Sequence, residues 1–322
     1  MNEGFIPALG TPLDSDGGVI VDSYRRHVAD AVDAGAAALL AMGTMGIGAF
    51  VGDAVYPEVA RHTVEEADGR VPVLVGAMDN SIRRVTDRAE AASAAGADGI
   101  VITAPYYHAT TREERARFFR TVARRSPVPL YLYDLPGVAR VTLDPELVLS
   151  LVDDGVRGIK TGTLPLARAL HRRIEAGEVA DFAVIYSDLD TMDVAWSYGI
   201  RRVLDGMFSC TLPLIRRAME TLGLLAAPGS GGGAKEVAGG AKEVGGGATV
   251  VHSATVASDA FDRIITLRDF FVGRGVFRGF TAAMNLLGYR GSFGPDYTLP
   301  VDEVLIRETG KELAEVGITA GA

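Results

Sequence analysis

From residue 4 to residue 208, short and almost uninterrupted apolar runs alternate with longer stretches whose apolar positions recur every three or four residues. The runs are GFIPAL (4–9), AALLAMG (37–43), VPVLVGA (71–77), GIVITAP (99–105), PLYLYDL (129–135), VRGIK (156–160), FAVIYS (182–187) and RVLDGMF (202–208). Apolar on both faces, they fit strands of a parallel sheet that is covered on its outer face. The intervening stretches carry helix signals. Val21, Tyr24, Val28 and Val32 form one apolar stripe at helical spacing. Thr111 with Glu114, and Ser187 with Asp190, have the spacing of a capping box, and Asp144-Pro145-Glu146 places Asp at an N-cap and Pro at N1. Gly35, Gly96, Gly155 and Gly199 stand at C′ positions just before the next strand. Eight strand–helix units in residues 1–225 predict an α/β fold, a (β/α)8 TIM barrel. Strand closure is not written in the pattern, so an open doubly wound sheet is the alternative.

The pattern breaks at 226–250. A tandem heptapeptide, GGAKEVA then GGAKEVG, lies in a tract with nine glycines between 229 and 247. Glycine at that density opposes helix and strand, which predicts a flexible surface insertion. A duplication tolerated in a loop explains it better than a functional Lys-Glu motif. Residues 251–322 return to apolar helical patterning (FDRIITLRDFFV, GFTAAMNLLGY) and are expected to form a C-terminal helical segment packed on the barrel.

Composition narrows the function. The 322 residues are 48% hydrophobic and 23% charged, ample for a buried core, and the net charge of −9 offers no footprint for nucleic acid. No apolar run approaches a membrane span, and the N-terminus has no signal-peptide pattern. A single cysteine, Cys210, excludes an internal disulfide framework; a cytoplasmic protein is expected. The five histidines are scattered without metal-ligand spacing, so neither a metal nor another cofactor is expected.

The charge pattern has one anomaly. Arginine supplies the positive charge of the first 234 residues except at Lys160, inside the apolar run of RGIKTGT. Catalytic groups of such barrels sit at the C-terminal ends of strands. Thr44, Tyr106, Tyr107, Tyr133 and Lys160 occupy those ends. Strands 5 and 6 are neighbours, which brings the Tyr133 hydroxyl within reach of the Lys160 amine. An apolar surrounding disfavours the charged ammonium and leaves amine free to attack a carbonyl. The resulting protonated imine is an electron sink, and a neighbouring phenol can move protons. Against this stand plainer readings: a salt-bridged or snorkelling lysine at the rim, an aromatic filling the barrel mouth, and GTMGIG (43–48) as a tight turn that lacks a P-loop.

GTMG (43–46), PYYHATTREE (105–114), LYDLPG (132–137) and GIKTGT (158–163) resemble, in order and spacing, the dihydrodipicolinate synthase / N-acetylneuraminate lyase family, and YSDLD through GMFSCTLPL (186–215) is similar to its later segment. The resemblance implies a class I aldolase barrel with Lys160 as the Schiff-base lysine and Tyr133 as the acid/base group. Thr44 and Tyr107 would complete a proton relay, the tyrosine matching Tyr107 reaching into a neighbouring subunit's site. A homo-oligomer, dimer or tetramer, is implied, with pyruvate and other 2-oxo acids as the substrate class. Gly43, Met45, Gly46, Arg140 and Phe208 would bind substrate. The chain also departs from the family pattern. GTMGI replaces GTTGE or GSTGE, so Met45 stands where a hydroxyl helps bind the carboxylate. Val138 stands where the synthases have an arginine, with Arg140 the nearest replacement.

The leading expectation is therefore a Schiff-base-forming lyase, an aldolase or dehydratase, acting on a 2-oxo acid or related carbonyl compound through Lys160. The alternatives are a dihydrodipicolinate synthase-type condensing enzyme and a non-catalytic binding or regulatory paralogue. A flavin- or phosphate-binding barrel ranks lower, because the loops after strands 7 and 8 lack glycine-rich phosphate motifs.

Overall fold

In the computed structural model, residues 1–225 and 247–319 are described. Each apolar run contributes one strand, shorter than the run except for β6, which extends one residue beyond it: β1 (Gly4–Pro7), β2 (Leu39–Ala41), β3 (Val73–Gly76), β4 (Gly99–Thr103), β5 (Leu130–Asp134), β6 (Val156–Thr161), β7 (Ala183–Tyr186) and β8 (Arg202–Asp205). All pair in parallel, in the order β1-β8-β7-β6-β5-β4-β3-β2. The open edge closes through an Ala8–Leu40 bridge and the bonds from Leu9 N–H to Leu40 O and Ala37 N–H to Phe5 O. The fold is a (β/α)8 barrel, and the doubly wound alternative falls.

The barrel helices are α1 (Val21–Asp33), α2 (Val55–Ala67), α3 (Ile82–Ala94), α4 (Arg112–Arg125), α5 (Pro136–Ala139), α6 (Pro145–Leu149), α7 (Leu164–Glu175), α8 (Met192–Ser197) and α9 (Leu212–Thr221). Thr111 and Glu114 form the reciprocal capping box at α4, and Asp144 accepts from Leu147 N–H ahead of Pro145 in α6. Ser187 and Asp190 do not form the expected box. Asp188 is the residue that caps the short 3₁₀ turn Leu189–Thr191, by accepting from Asp190 N–H. The four glycines before β2, β4, β6 and β8 all have φ between +84° and +114°, as helix ends of this kind require.

Two cores follow from strand alternation. Ile6, Leu40, Leu74, Val101, Ile185 and Leu204 fill the barrel, while larger residues such as Phe5, Tyr24, Phe119 and Phe271 pack between strands and helices. The chain ends in α10 (Gly247–Arg274), α11 (Val276–Leu286) and α12 (Glu303–Glu315). Phe261, Ile264, Leu267 and Phe271 of α10 are buried in the outer core, and Arg268 holds Asp190 through two bonds of 2.7 and 2.9 Å. The glycine-rich insertion expected at 226–250 lies outside the described residues as far as 246; α10 begins at Gly247. No described helix is long and apolar enough to cross a membrane, and the described residues contain no cluster of three potential metal ligands.

Candidate active site

The turn after β2 is built around the backbone of Met42. Met42 and Ile47 both adopt left-handed φ, 54° and 49°, a costly conformation for a β-branched isoleucine. A Cβ on Gly46 would lie 2.7 Å from Met42 N, and Thr11 Oγ1 donates to Gly46 O at 2.8 Å. Gly43 accepts from Gly48 N–H at 3.2 Å, which closes the turn. Within it, the N–H groups of Thr44, Met45 and Gly46 meet no acceptor among the described residues. Three successive free donors at a barrel mouth are suited to an anion such as a carboxylate.

On the facing strands, Tyr133 and Lys160 are register partners, and Lys160 is in turn paired with Ile185. All three point into the barrel. The glycine of G-x-K has a physical task here: a Cβ on Gly158 would lie 2.7 Å from the Tyr131 ring, which fills the barrel one layer below Lys160. Lys160 is 7% exposed. Its Nζ stands 3.8 Å from the centre of the Tyr133 ring and donates to Ser187 Oγ at 2.8 Å. The amine thus lies over the phenol's face rather than on its hydroxyl. The Tyr133 hydroxyl is instead 3.5 Å from Thr44 Oγ1, at the limit of a hydrogen bond.

Asp134, the next residue after Tyr133, faces outward and ties β5 to β6. One oxygen accepts from Leu143 N–H at 2.9 Å; the other accepts from the Thr161 and Thr163 hydroxyls, each at 2.8 Å. At the end of β8, burial pushes the Asp205 carboxyl above its ordinary pKa, opposed by the Met207 N–H and by the positive charge of Lys160.

The remaining expected site residues divide. Met45 packs on both cores and reaches Gly206 beyond β8, where a Cβ would lie 2.0 Å from Met45 Cγ. Tyr107 is 90% exposed and makes no hydrogen bond to Thr44 or Tyr133 within one chain. Its backbone, with that of Tyr106, is held by Asn80 Oδ1 at 2.8 and 2.7 Å. Arg140 caps α5 at φ 57° with its side chain exposed. Phe208 lies apart from these groups. It is 0% exposed, meets Phe5 edge-on at 6.2 Å and packs in the outer core. Sequence reading missed Asp134, Ser187, Asn80 and Gly206, because each acts through a partner distant in the chain.

The Dihydrodipicolinate synthetase family pattern matches residues 1–237. A 4-hydroxy-tetrahydrodipicolinate synthase of Methylococcus capsulatus is 32% identical over 240 residues, 74% of this chain and 80% of that protein. The enzyme of the same name from Gluconacetobacter diazotrophicus is 33% identical over 174 residues, 54% of this chain but only 59% of its own length. Among solved structures, YagE, a prophage protein of Escherichia coli K12 crystallised in complex with pyruvate, superimposes with a TM-score of 0.81 at 20% identity, covering 99% of each chain. That likeness concerns the fold. With the extent of the family match and the Methylococcus relative, the chain belongs to the dihydrodipicolinate synthetase family.

Proposed function

We propose that this protein is a class I lyase that forms a Schiff base between Lys160 and a 2-oxo acid or related carbonyl compound. One observation carries the reading. Lys160 is buried, yet among the described residues no carboxylate lies within 4.0 Å of its amine. A lysine kept for stability at such a place would be paired or would snorkel to water. This one is aimed at the barrel mouth and touches a phenol face and a hydroxyl.

In the proposed mechanism the Nζ lone pair adds to the carbonyl carbon, and Tyr133 supplies and recovers protons during dehydration to the imine and cleavage of the adjacent bond. Thr44 orients the phenol. The free N–H groups at 44–46 receive the carboxylate. Met45 supplies no side-chain donor and narrows that wall, which favours a substrate bulkier or less polar near its carbonyl than pyruvate. Exposed Tyr107 is assigned to the site of a second copy, hence a homo-oligomer. Val138 at the position of the synthases' arginine speaks against the ordinary condensing reaction.

The test is borohydride reduction in the presence of a panel of 2-oxo acids and aldehydes, followed by mass measurement. Covalent addition to Lys160 supports the lyase. A panel without any adduct supports the non-catalytic paralogue.

A further inference from the structure

Resting on the Schiff-base reading of Lys160, we propose that Ser187 is a further catalytic residue: its hydroxyl holds the one hydrogen that stays on the lysine nitrogen throughout imine formation. Ser187 follows the last residue of β7, and its own N–H is fixed to Thr161 O at 3.0 Å, one residue beyond Lys160 on the neighbouring strand. Its side chain is not consumed by helix capping, because Asp188 performs that task. The end of β7 is braced from behind: Tyr186 and Thr191 share a hydrogen bond of 2.5 Å, and Thr191 Oγ1 donates to Asp188 at 2.7 Å. Among the described residues, the only hydrogen bond of Ser187 Oγ is the 2.8 Å contact with Lys160, and Lys160 Nζ has no other hydrogen-bond partner.

The chemistry gives this contact a direction. A neutral amine carries two hydrogens. As its lone pair bonds to the carbonyl carbon, one hydrogen passes as a proton to the carbonyl oxygen, giving a carbinolamine with one N–H. A second proton, from Tyr133 in the proposed mechanism, lets that oxygen leave as water while the nitrogen lone pair forms C=N. The iminium product keeps one N–H. Ser187 accepts the hydrogen that is retained, so the departing hydrogen and the lone pair point away from Ser187 Oγ. On the cationic nitrogen the same contact is a charge-assisted hydrogen bond, stronger than one made by a neutral amine.

Wild type, Ser187→Ala and Ser187→Thr are compared in two assays. One is reductive methylation with formaldehyde and cyanoborohydride, which needs an imine but no physiological substrate. The other is borohydride trapping with pyruvate and the wider 2-oxo acid panel. The chain has four lysines, so peptide masses separate Lys160 from Lys311, which serves as an internal control. Ser187→Ala is expected to slow methylation at Lys160 by roughly 10–100-fold, the effect of losing a hydrogen bond to a charged group. Lys311 should react as before, melting temperatures should agree, and Ser187→Thr should recover most of the rate. Equal methylation of Lys160 in wild type and Ser187→Ala, or none in any form, would overturn the role of Ser187. Should the oxo acids give no adduct while the formaldehyde rates still divide, the substrate reading falls and the role of Ser187 stands.

Discussion

Met45 lies against Gly206 so closely that a Cβ on residue 206 would stand 2.0 Å from Met45 Cγ and 3.2 Å from its sulfur. The absence of a side chain after β8 is therefore the space that Met45 uses after β2. Gly206→Ala is expected to destabilise the wild type by about 1–3 kcal/mol through overpacking, and to be nearly neutral in a Met45→Thr background. Urea unfolding of the four forms gives the coupling. Met45→Thr should also bind pyruvate roughly tenfold more tightly, by restoring a donor for its carboxylate. Trapping titrations measure this; equal dissociation constants would remove Met45 from the specificity of the site.

Tyr133→Phe keeps the ring beneath Lys160 Nζ and removes only the hydroxyl near Thr44. Turnover of whichever substrate the panel identifies should fall by roughly 10²–10⁴-fold, while the fold is unchanged. An unaltered rate, with chemistry shown to be limiting, would reduce Tyr133 to packing.

Asp134→Ala would strand two hydroxyls and one backbone N–H that all converge on that carboxylate. A loss of about 2–4 kcal/mol is expected in chemical denaturation. Because Asp134 spans the residues that follow Tyr133 and Lys160, kcat should fall more than KM rises. Asp134→Asn, which keeps an acceptor for one hydroxyl, should recover part of both.

His27 is fully buried, and neither ring nitrogen has a hydrogen-bond partner among the described residues; Tyr289 meets its ring edge-on at 5.1 Å. Burial, helped by the charge of Arg26, lowers its pKa from 6.5 to about 3. Above pH 6.5 the imidazole is neutral in both folded and unfolded chains, and its contribution is complete. As pH falls from 6.5 toward 3, only the unfolded chain takes up the proton, so stability drops by about 1.4 kcal/mol per pH unit. His27→Leu should remove that slope. Comparing unfolding free energies at pH 7 and pH 5, the wild type should lose about 2 kcal/mol more than the variant. Parallel losses would show that His27 is protonated in the folded state.

The strands were legible because a parallel barrel demands long apolar runs, and helix ends because C′ glycine and an Asp-Pro start are local chemistry. Lys160 stood out for a similar reason: one ammonium in an arginine-rich chain, two residues after a glycine that makes room for Tyr131. What failed was partnership. Ser187 carried a capping pattern, but the backbone it seemed to cap is served by Asp188, and its hydroxyl went to a lysine 27 residues earlier. Phe208 sits beside the end of β8 in sequence, yet the chain enters a 3₁₀ turn at Met207–Cys210 that directs the ring into the outer core. The fit of Met45 to Gly206 joins turns 161 residues apart, and no periodicity records it.

Lys160→Arg is the sharpest probe of the imine, because a guanidinium stays protonated at any working pH and cannot act as the nucleophile. Borohydride reduction with a 2-oxo acid, followed by peptide mass measurement, should place a stable adduct on Lys160 in the wild type and leave folded Lys160→Arg unmodified. An adduct of equal yield in Lys160→Arg, or one found on Lys311 instead, would contradict Schiff-base chemistry at this site.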